Sequence, residues 1–557
     1  MEQRSESTPI PESRVLIIMT GGTICMTKGP NGFVPARGFL QSCMAPRPPF
    51  NDGSNPSDIN IVVDDGTEQP HRSYRTPVST YQKHVRYAVF EFEELLDSSS
   101  INADGWTHIA KTIYRNYRLF DAFVVLHGTD SLAYTCSALS FMLQNLGKPV
   151  ILTGSQAPML ELQNDAEGNL LNSLIIAGHF MIPEVCLLFN HNLFRGNRTT
   201  KVSASDFAAF ASPNLPPLAT VSSQKTHVSW ELIDRPTNLK PFSIQTNRAT
   251  GDVACLRIFP GIKPEMVEAV LKVDGLKGLV LETFGAGNAP GGPDGTLTNV
   301  FANAVQRGIV IVNVTQCMTG TVSPLYEPAM LLKRAGVIPG HDLTSEAALA
   351  KLSYLLALDL GPQEVTEQMS VSLRGEFTEH STMVFQHPHR VLPSSITNLT
   401  SLSYAISKGR VDVVQDLLKG GVSWLLNEPD YSGNTPLHVA STASSLEILS
   451  LLLSHGASVH LRNNANRTPL FLAANAGLID HVKLLKQSGA HLYPEELAAA
   501  RRHAQASPTV WHAAGILPQY DGFGRYGRDL PPSTARQRGR NGDADEDGAP
   551  WTLSMSL

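Results

Sequence analysis

The sequence has few cysteines, little net charge and no uninterrupted long hydrophobic run. Its 557 residues include six cysteines, none in a CxxC pair, which favours a reduced, intracellular protein. The net charge of −6 offers no basic surface for nucleic acid. The longest apolar stretch, residues 173–189, is interrupted by His179, Pro183 and Glu184, so we expect no membrane span. These absences together predict a cytoplasmic protein.

The residue patterns that bind metals or nucleotides are also missing. The 18 histidines are dispersed, without companion ligands at metal-site spacing. No Gly-x-x-x-x-Gly-Lys-Ser/Thr loop occurs. We therefore expect no metal and no cofactor.

Short apolar runs alternate with helical patterns in the first two thirds of the chain. The runs at residues 15–19, 122–126, 150–152 and 185–189 predict buried strands of a parallel sheet in a lobe spanning residues 14–211. Three further runs, at residues 253–258, 278–283 and 308–314, predict a smaller αβ lobe at residues 247–365. Residues 41–83, rich in Pro, Asn, Asp and Ser, are interpreted as a long surface insertion.

The composition assigns the remaining segments to connections, tails and repeats. Residues 212–246 and 366–397 are interpreted as linkers, and residues 1–13 and 506–557 as disordered ends. Between them, Asn434-Thr-Pro-Leu-His-Val-Ala440 recurs 33 positions later as Arg467-Thr-Pro-Leu-Phe-Leu-Ala473. This spacing resembles α-helical ankyrin repeats over residues 398–505, whose stacked units form a surface suited to a protein partner.

Three motifs at predicted strand ends carry hydroxyl, carboxylate and amine groups. Thr20-Gly-Gly-Thr-Ile24 follows the first strand, where glycines let the backbone approach a ligand. His127-Gly-Thr-Asp-Ser131 ends another strand, and Lys201 follows the strand at 185–189. Beside Thr129, a buried Lys201 could accept a proton. The structural alternatives are a plain Gly-Gly turn, a helix cap at Asp130 and a solvated lysine.

These segments, in this order, resemble the L-asparaginase family, especially its cytosolic type I branch. The resemblance covers residues 14–360 and rests on segments 20–24, 90–99, 127–131, 148–156, 201–206, 285–290 and 315–318. It implies an α/β, two-lobed fold: a larger N-terminal flavodoxin-like parallel sheet and a smaller C-terminal αβ lobe, here followed by ankyrin repeats.

The resemblance also implies a role for each site residue. Thr23 would be the nucleophile that attacks the side-chain amide of L-asparagine, releasing L-aspartate and ammonia. Proton handling would fall to Thr129, Asp130 and Lys201. The α-amino and α-carboxylate groups of the substrate would be held by Asp97, Ser98, Ser99, Thr129 and Asp130. Which threonine makes the covalent bond stays open.

Asn288 matches a family residue that reaches into the site of a neighbouring subunit. The resemblance therefore implies a homodimer, or a tetramer of such dimers. The alternative is a loop asparagine in a left-handed conformation.

One position departs from the family pattern. Bacterial members carry a tyrosine in the loop after the nucleophile, whereas this chain has Phe33. Closure over the site would still exclude water, but the nucleophile must be oriented by another group. We expect modest activity or weak substrate affinity.

Two other functions compete with asparagine hydrolysis. A lysophospholipase or related esterase normally uses a serine in Gly-x-Ser-x-Gly, and this pentapeptide is absent. A protein-binding scaffold would need only the ankyrin repeats, but it does not account for Thr23, Thr129, Asp130 and Lys201 occurring together.

Overall fold

The architecture comes from a computed structural model that describes residues 10–30, 32–237, 239–246, 252–291, 295–322, 327–378, 395–430 and 432–516. Of the predicted disordered ends at 1–13 and 506–557, residues 1–9 and 517–557 lie outside these ranges, and so does half of the second predicted linker, at 379–394. Residues 12–13, predicted to be disordered, begin the first strand.

The N-terminal lobe is built on a ten-stranded sheet with short ribbons beside it. Its strands are β1 (Glu12–Gly21), β2 (Met26–Gly29), β3 (Gly32–Pro35), β4 (Ser57–Val62), β5 (Glu68–Arg75), β6 (His84–Leu96), β7 (Ala122–Leu126), β8 (Leu143–Gln144), β9 (Val150–Thr153), β10 (Val185–Phe189), β11 (Asn192–Arg195), β12 (Thr200–Lys201), β13 (Phe210–Ala211), β14 (Ala219–Val221), β15 (Thr226–Val228) and β16 (Ser243–Ile244). The order in the large sheet is β15-β14-β11-β10-β9-β7-β1-β6-β5-β4.

The five central strands of this sheet, β10 to β6, are parallel and follow the flavodoxin-like order. Helices α1 (Ala103–Asn116), α2 (Leu132–Met142) and α3 (Ala166–His179) pack on its two faces. Since both faces are covered, every residue of β7 is buried, as its continuous apolar run predicts. The predicted parallel sheet is confirmed, and antiparallel strands extend it on both sides.

Two segments contribute more to this sheet than the sequence pattern indicates. Residues 41–83, interpreted as a surface insertion, supply β4 and β5, and β5 pairs with the edge of β6. Phe50 in the same segment is fully buried. The predicted linker at 212–246 supplies β14 and β15 to the opposite edge, and β16 pairs with β8. The sequence pattern did not indicate these strands because strands of two or three residues are too short to show a period. Residues 212–246 are therefore part of the sheets and not a simple connection.

The C-terminal lobe has a four-stranded parallel sheet in the order of the chain. Its strands are β17 (Val253–Arg257), β18 (Gly278–Thr283), β19 (Val310–Thr315) and β20 (Ile338–Pro339), and its helices are α4 (Pro264–Leu271), α5 (Thr296–Gln306), α6 (Glu327–Arg334), α7 (Ser345–Leu356) and α8 (Pro362–Met369). Part of the second predicted linker is folded onto this lobe, because Glu376 forms a fully buried ion pair of 2.7 Å with Lys351.

The ankyrin region consists of paired helices. They are α9 (Ser395–Ser407), α10 (Val411–Leu417), α11 (Pro436–Thr442), α12 (Leu446–Ser454), α13 (Pro469–Asn475), α14 (Ile479–Gln487), α15 (Pro494–Ala504) and α16 (Pro508–Ala513). The repeated Thr-Pro starts α11 and α13, and the Thr468 hydroxyl caps α13 by accepting from Phe471 N at 3.1 Å. Trp511 of α16 is buried in the same core, so residues 508–513 belong to the array rather than to a disordered tail.

The ankyrin repeats dock on the amino-terminal edge of the large sheet. Asp121, which precedes β7, pairs with Arg462 at 2.5 Å, and Arg14 pairs with Glu495 at 2.7 Å. Lys148, which precedes β9, is fully buried beneath the repeats. The carboxyl ends of the parallel strands therefore lie at the edge that the array does not cover.

Candidate active site

Four loops meet at the carboxyl edge of the large sheet, where ligands bind in open α/β folds. Thr23 follows β1, Ser98 follows β6, Thr129 follows β7 and Gln156 follows β9. Lys201 comes from β12, which pairs with β13 through Lys201 and Phe210. The next residue back, Thr200, donates a hydrogen bond of 2.7 Å to Glu346 of α7, so both lobes hold the short strand that carries Lys201.

Lys201, Thr129 and Asp130 form a hydrogen-bonded cluster. Lys201 Nζ lies 3.0 Å from Thr129 Oγ1 and 2.8 Å from Asp130 Oδ1. The side chain of Lys201 is 21% exposed, whereas that of Asp130 is 68% exposed and faces the open edge. The resting ammonium therefore has a hydroxyl on one side and a solvent-facing carboxylate on the other.

The Thr129 hydroxyl has a second partner that the sequence analysis did not assign. It donates to Gln156 Oε1 at 3.2 Å while accepting from Lys201. Gln156 is fixed in turn, because its backbone N–H donates to Asp165 Oδ1 at 3.0 Å and its side chain donates to Asp206 O at 3.3 Å. The sequence signal for this role is the position of Gln156 just after β9, because β9 lies next to β7 in the sheet.

Glycines bring the Thr23 and Ser98 loops against the Thr129 loop. Gly22 has φ +85°, and a Cβ there would lie 2.4 Å from the backbone N of Gly128. A Cβ at Gly128 would lie 2.5 Å from Ser98 Oγ. Only glycine fits either position, so the close approach requires the Gly-Gly and His-Gly-Thr motifs.

The predicted nucleophile and substrate-binding residues differ in exposure. Thr23 is half-buried at the start of a 3₁₀ turn, and its hydroxyl makes no hydrogen bond to a described residue. Asp97 and Ser99 are exposed, while Ser98 is buried. Asp97 caps the next turn by accepting from Ser99 N at 3.1 Å. One of its carboxylate oxygens thus has a structural role at the rim of the site.

His127 supports the Thr129 loop from inside the protein. Its Nδ1–H donates to Gly128 O at 2.7 Å, so its Nε2 accepts from the Thr135 hydroxyl at 3.0 Å. Trp106 Nε1 donates to the same hydroxyl at 2.9 Å. Burial lowers the pKa of His127 to about 4, and the neutral ring is a fixed support rather than a proton carrier near pH 7.

Asn288 is not joined to the cluster by any hydrogen bond among the described residues. It follows β18 in the C-terminal lobe, where its backbone N–H donates to Phe284 O at 2.8 Å. Its Oδ1 is buried without a hydrogen-bond partner among those residues. The side chain is therefore placed by its loop and leaves an acceptor unused within this chain.

Phe33 lies in the β2–β3 hairpin that follows Thr23, and it is 45% exposed. Lys28 in the same hairpin pairs with Glu161 at 2.9 Å, which ties the hairpin to the segment after β9.

Within the described ranges, no group of three or more His, Cys, Asp or Glu could hold a metal, and no helix there is long and apolar enough to span a bilayer.

Comparisons with known proteins find the same three parts. The family described as "Asparaginase, N-terminal" matches residues 14–234, "Glutaminase/Asparaginase C-terminal domain" matches residues 252–369, and "Ankyrin repeats (3 copies)" matches residues 402–495. The 60 kDa lysophospholipase of Mus musculus is 38% identical over 543 residues, covering 92% of this chain and 93% of that protein.

Two bacterial asparaginases align with the first two parts. L-asparaginase 1 of Escherichia coli K12 is 40% identical over 373 residues, which cover 65% of this chain and 98% of that protein. The crystal structure of L-asparaginase I from Vibrio cholerae is 38% identical with a TM-score of 0.55, and the match covers 66% of this chain and 100% of that one. The chain therefore belongs to the asparaginase family and carries ankyrin repeats after its two asparaginase lobes.

Proposed function

We propose that this protein hydrolyses L-asparagine to L-aspartate and ammonia through a threonine nucleophile, Thr23. The observation that carries the proposal is the contact of Lys201 Nζ with both Thr129 Oγ1 and Asp130 Oδ1, at 3.0 and 2.8 Å. An alcohol is a poor nucleophile at neutral pH until a base removes its proton. The cluster supplies an amine, a carboxylate and a hydroxyl in hydrogen-bond contact for that purpose.

In the proposed reaction, the Thr23 oxygen attacks the amide carbon. The proton lost by the Thr23 hydroxyl passes through the base to the amide nitrogen, the C–N bond breaks, and the nitrogen leaves as ammonia. Water then hydrolyses the resulting ester, which releases L-aspartate and restores the Thr23 hydroxyl. In its neutral form, the Lys201 amine can accept the Thr129 proton once that hydroxyl turns from Gln156. Thr129 and Lys201 would thus relay protons for the attacking groups.

The rim of the site suits the charged end of an amino acid. The exposed carboxylate of Asp130 can pair with a substrate ammonium. The N-terminal end of α2, directly after this loop, provides positive potential for a carboxylate. Asp97, Ser98 and Ser99 border the same edge, and their loop is packed against Gly128.

The direct test is ammonia release from L-asparagine by the purified full-length protein. We expect Thr23→Ala, Thr129→Ala and Lys201→Met each to lower kcat at least about 10³-fold. Lys225→Met, on the exposed β14–β15 turn, is the matched control and should keep wild-type activity. Wild-type protein that releases no ammonia at high asparagine, or a Lys201→Met variant with full activity, would overturn the proposal.

Lysophospholipid hydrolysis is the second candidate, because the name of the mouse relative refers to that activity. It would use the same hydroxyl, so Thr23→Ala should abolish fatty-acid release together with ammonia release. Fatty-acid release that survives in Thr23→Ala would require a different nucleophile.

We also propose a homodimer, or a tetramer of dimers, in which Asn288 completes the site of a neighbouring subunit. The unused, buried Oδ1 of Asn288 supports this assignment. Mixing two inactive variants, Lys201→Met and Asn288→Ala, should restore part of the activity, since a mixed dimer would contain one intact site. No recovery in demonstrably mixed dimers would exclude the arrangement.

A further inference from the structure

Ser131 occupies the position just before α2, but its side chain does not cap that helix. Serine is favoured there because its oxygen can accept a hydrogen bond from an N–H group of the first turn. Among the described residues, no such bond reaches the Ser131 side chain. The hydroxyl instead donates to the backbone carbonyl of Ser98 at 2.5 Å. The side chain is therefore directed away from its own helix, to a loop 33 positions earlier in the chain.

This hydrogen bond joins two loops that are not neighbours in the sheet. Ser131 belongs to the loop after β7 and Ser98 to the loop after β6, and β1 lies between these strands. Two strand spacings separate the ends of β6 and β7 by roughly 10 Å. Within the described ranges, it is the only hydrogen bond between residues 97–101 and residues 127–131. The Ser131 hydroxyl thus links the two loops across the end of β1.

The Ser98 carbonyl has few other partners, and the surrounding packing is tight. It accepts one other hydrogen bond, from Ile101 N at 3.4 Å, within its own turn. The Ser98 side chain is buried, and a Cβ added at Gly128 would lie 2.5 Å from its Oγ. Packing therefore limits how closely the two loops can approach, while the Ser131 hydrogen bond keeps them from separating.

The two linked loops carry the groups proposed to hold the charged end of asparagine. These groups are Asp97, Ser98 and Ser99 on one loop, and Thr129 and Asp130 on the other. A displacement of about 1 Å between groups that act together can cost about 100-fold. We propose that Ser131 is a positioning residue for substrate binding, whose hydroxyl sets the distance between the two loops. The inference rests on the proposed hydrolysis of asparagine and adds a residue that acts through Ser98.

Steady-state kinetics of Ser131→Ala test this role. We expect KM for L-asparagine to rise at least about tenfold, because the loops no longer hold the ammonium and carboxylate groups at a fixed distance. We expect kcat to change less than about threefold, since Lys201 still contacts Thr129 and Asp130 through its own hydrogen bonds. Ser131→Thr keeps the hydroxyl and should restore KM to within about threefold of the wild-type value.

Ser445→Ala is the matched control. Ser445 caps α12 in the ankyrin repeats by accepting from Ile448 N at 3.3 Å, so this variant should have a lower thermal midpoint and an unchanged KM. A Ser131→Ala variant that follows the same pattern would show a purely structural role and overturn the inference.

Titration calorimetry with L-aspartate, which has the same charged end, measures binding without turnover. We expect Ser131→Ala to bind it at least about tenfold more weakly than the wild type does. An unchanged affinity for L-aspartate, or an increased KM that Ser131→Thr does not restore, would overturn the inference alone. Wild-type protein that releases no ammonia from asparagine would overturn the proposed function, and the inference with it.

Discussion

Lys148 of the N-terminal lobe donates a hydrogen bond of 3.3 Å to Nε2 of His491 in the ankyrin repeats. The other donors of this fully buried ammonium reach the backbone carbonyls of Tyr117 and Phe120. An ammonium has three N–H donors, so the ankyrin ring accepts the one that the lobe itself leaves unused. The repeats are therefore part of the folded enzyme rather than an appended module.

The nearby ion pair between Asp121 and Arg462 should make one of the largest single contributions to the stability of the interface between the lobe and the repeats. Asp121→Asn removes the nearer of the two carboxylates that pair with Arg462, and Glu495 remains at 3.3 Å. The side chains of Asp121 and Arg462 are only 11% and 7% exposed. Because Glu495 compensates only part of the charge that stays buried, we expect a loss of about 3 kcal/mol in the free energy of unfolding, the lower end for breaking a buried ion pair. Asp252→Asn is the control, since its pair with Lys277 is exposed and should cost less than about 1 kcal/mol. Denaturant unfolding measures both, and equal losses would contradict the buried role.

Acid should weaken the same interface through His491. Burial, with the nearby charge of Lys148 adding to it, holds the pKa of His491 well below its usual range. In the unfolded chain a histidine titrates near pH 6.5, so below that pH the unfolded state takes up a proton that the folded state does not. Stability is therefore lost as the pH falls from about 6.5.

The variant His491→Gln isolates this effect, because its amide oxygen can still accept from Lys148 but does not titrate. Between pH 7.5 and pH 5 we expect the variant to lose about 2 kcal/mol less stability than the wild type. Thermal or denaturant unfolding at the two pH values gives the difference. Parallel pH profiles would show that His491 is protonated in the folded protein.

Gly22→Ala should disable the site without unfolding the protein. The new methyl group would lie 2.4 Å from Gly128 N, so the Thr23 and Thr129 loops must separate. We expect kcat to fall at least about 100-fold, since small misplacements of reacting groups have effects of this size. Gly53→Ala is the matched control: it also has positive φ, at +78°, but no atom within 4 Å of its Cβ. It should cost about 1 kcal/mol of stability and leave kcat unchanged.

Phe33→Tyr tests the departure from the bacterial pattern. The hairpin carries an exposed ring at this position, and a phenol would add a hydrogen-bonding group for the Thr23 hydroxyl when the hairpin closes. We expect kcat or the affinity for asparagine to rise several-fold, while Phe33→Leu should not increase either. Steady-state kinetics at saturating and subsaturating asparagine distinguish the two effects. A lower turnover in Phe33→Tyr would contradict this reasoning.

The sequence predicted the features that depend on local patterns. Continuous apolar runs identified β7 and β10, and the loop motifs after the strands placed Thr129 and Asp130 beside Lys201. Contacts between distant residues were not predictable in this way. Lys148 and His491 are 343 positions apart, and each looks like an ordinary polar residue in its own segment. Gln156 was missed for a related reason, because its role exists only once β9 lies beside β7.

The contact between Arg462 and Asp121 anchors the ankyrin repeats at the start of the strand whose other end leads to Thr129. Asp121 immediately precedes β7, and Thr129 lies three residues beyond its end, after roughly 16 Å of extended chain. Every residue of that strand is buried, and closely packed protein interiors have low compressibility. The repeats are thus attached at one end of a tightly packed strand, and the hydroxyl that contacts Lys201 lies beyond its other end.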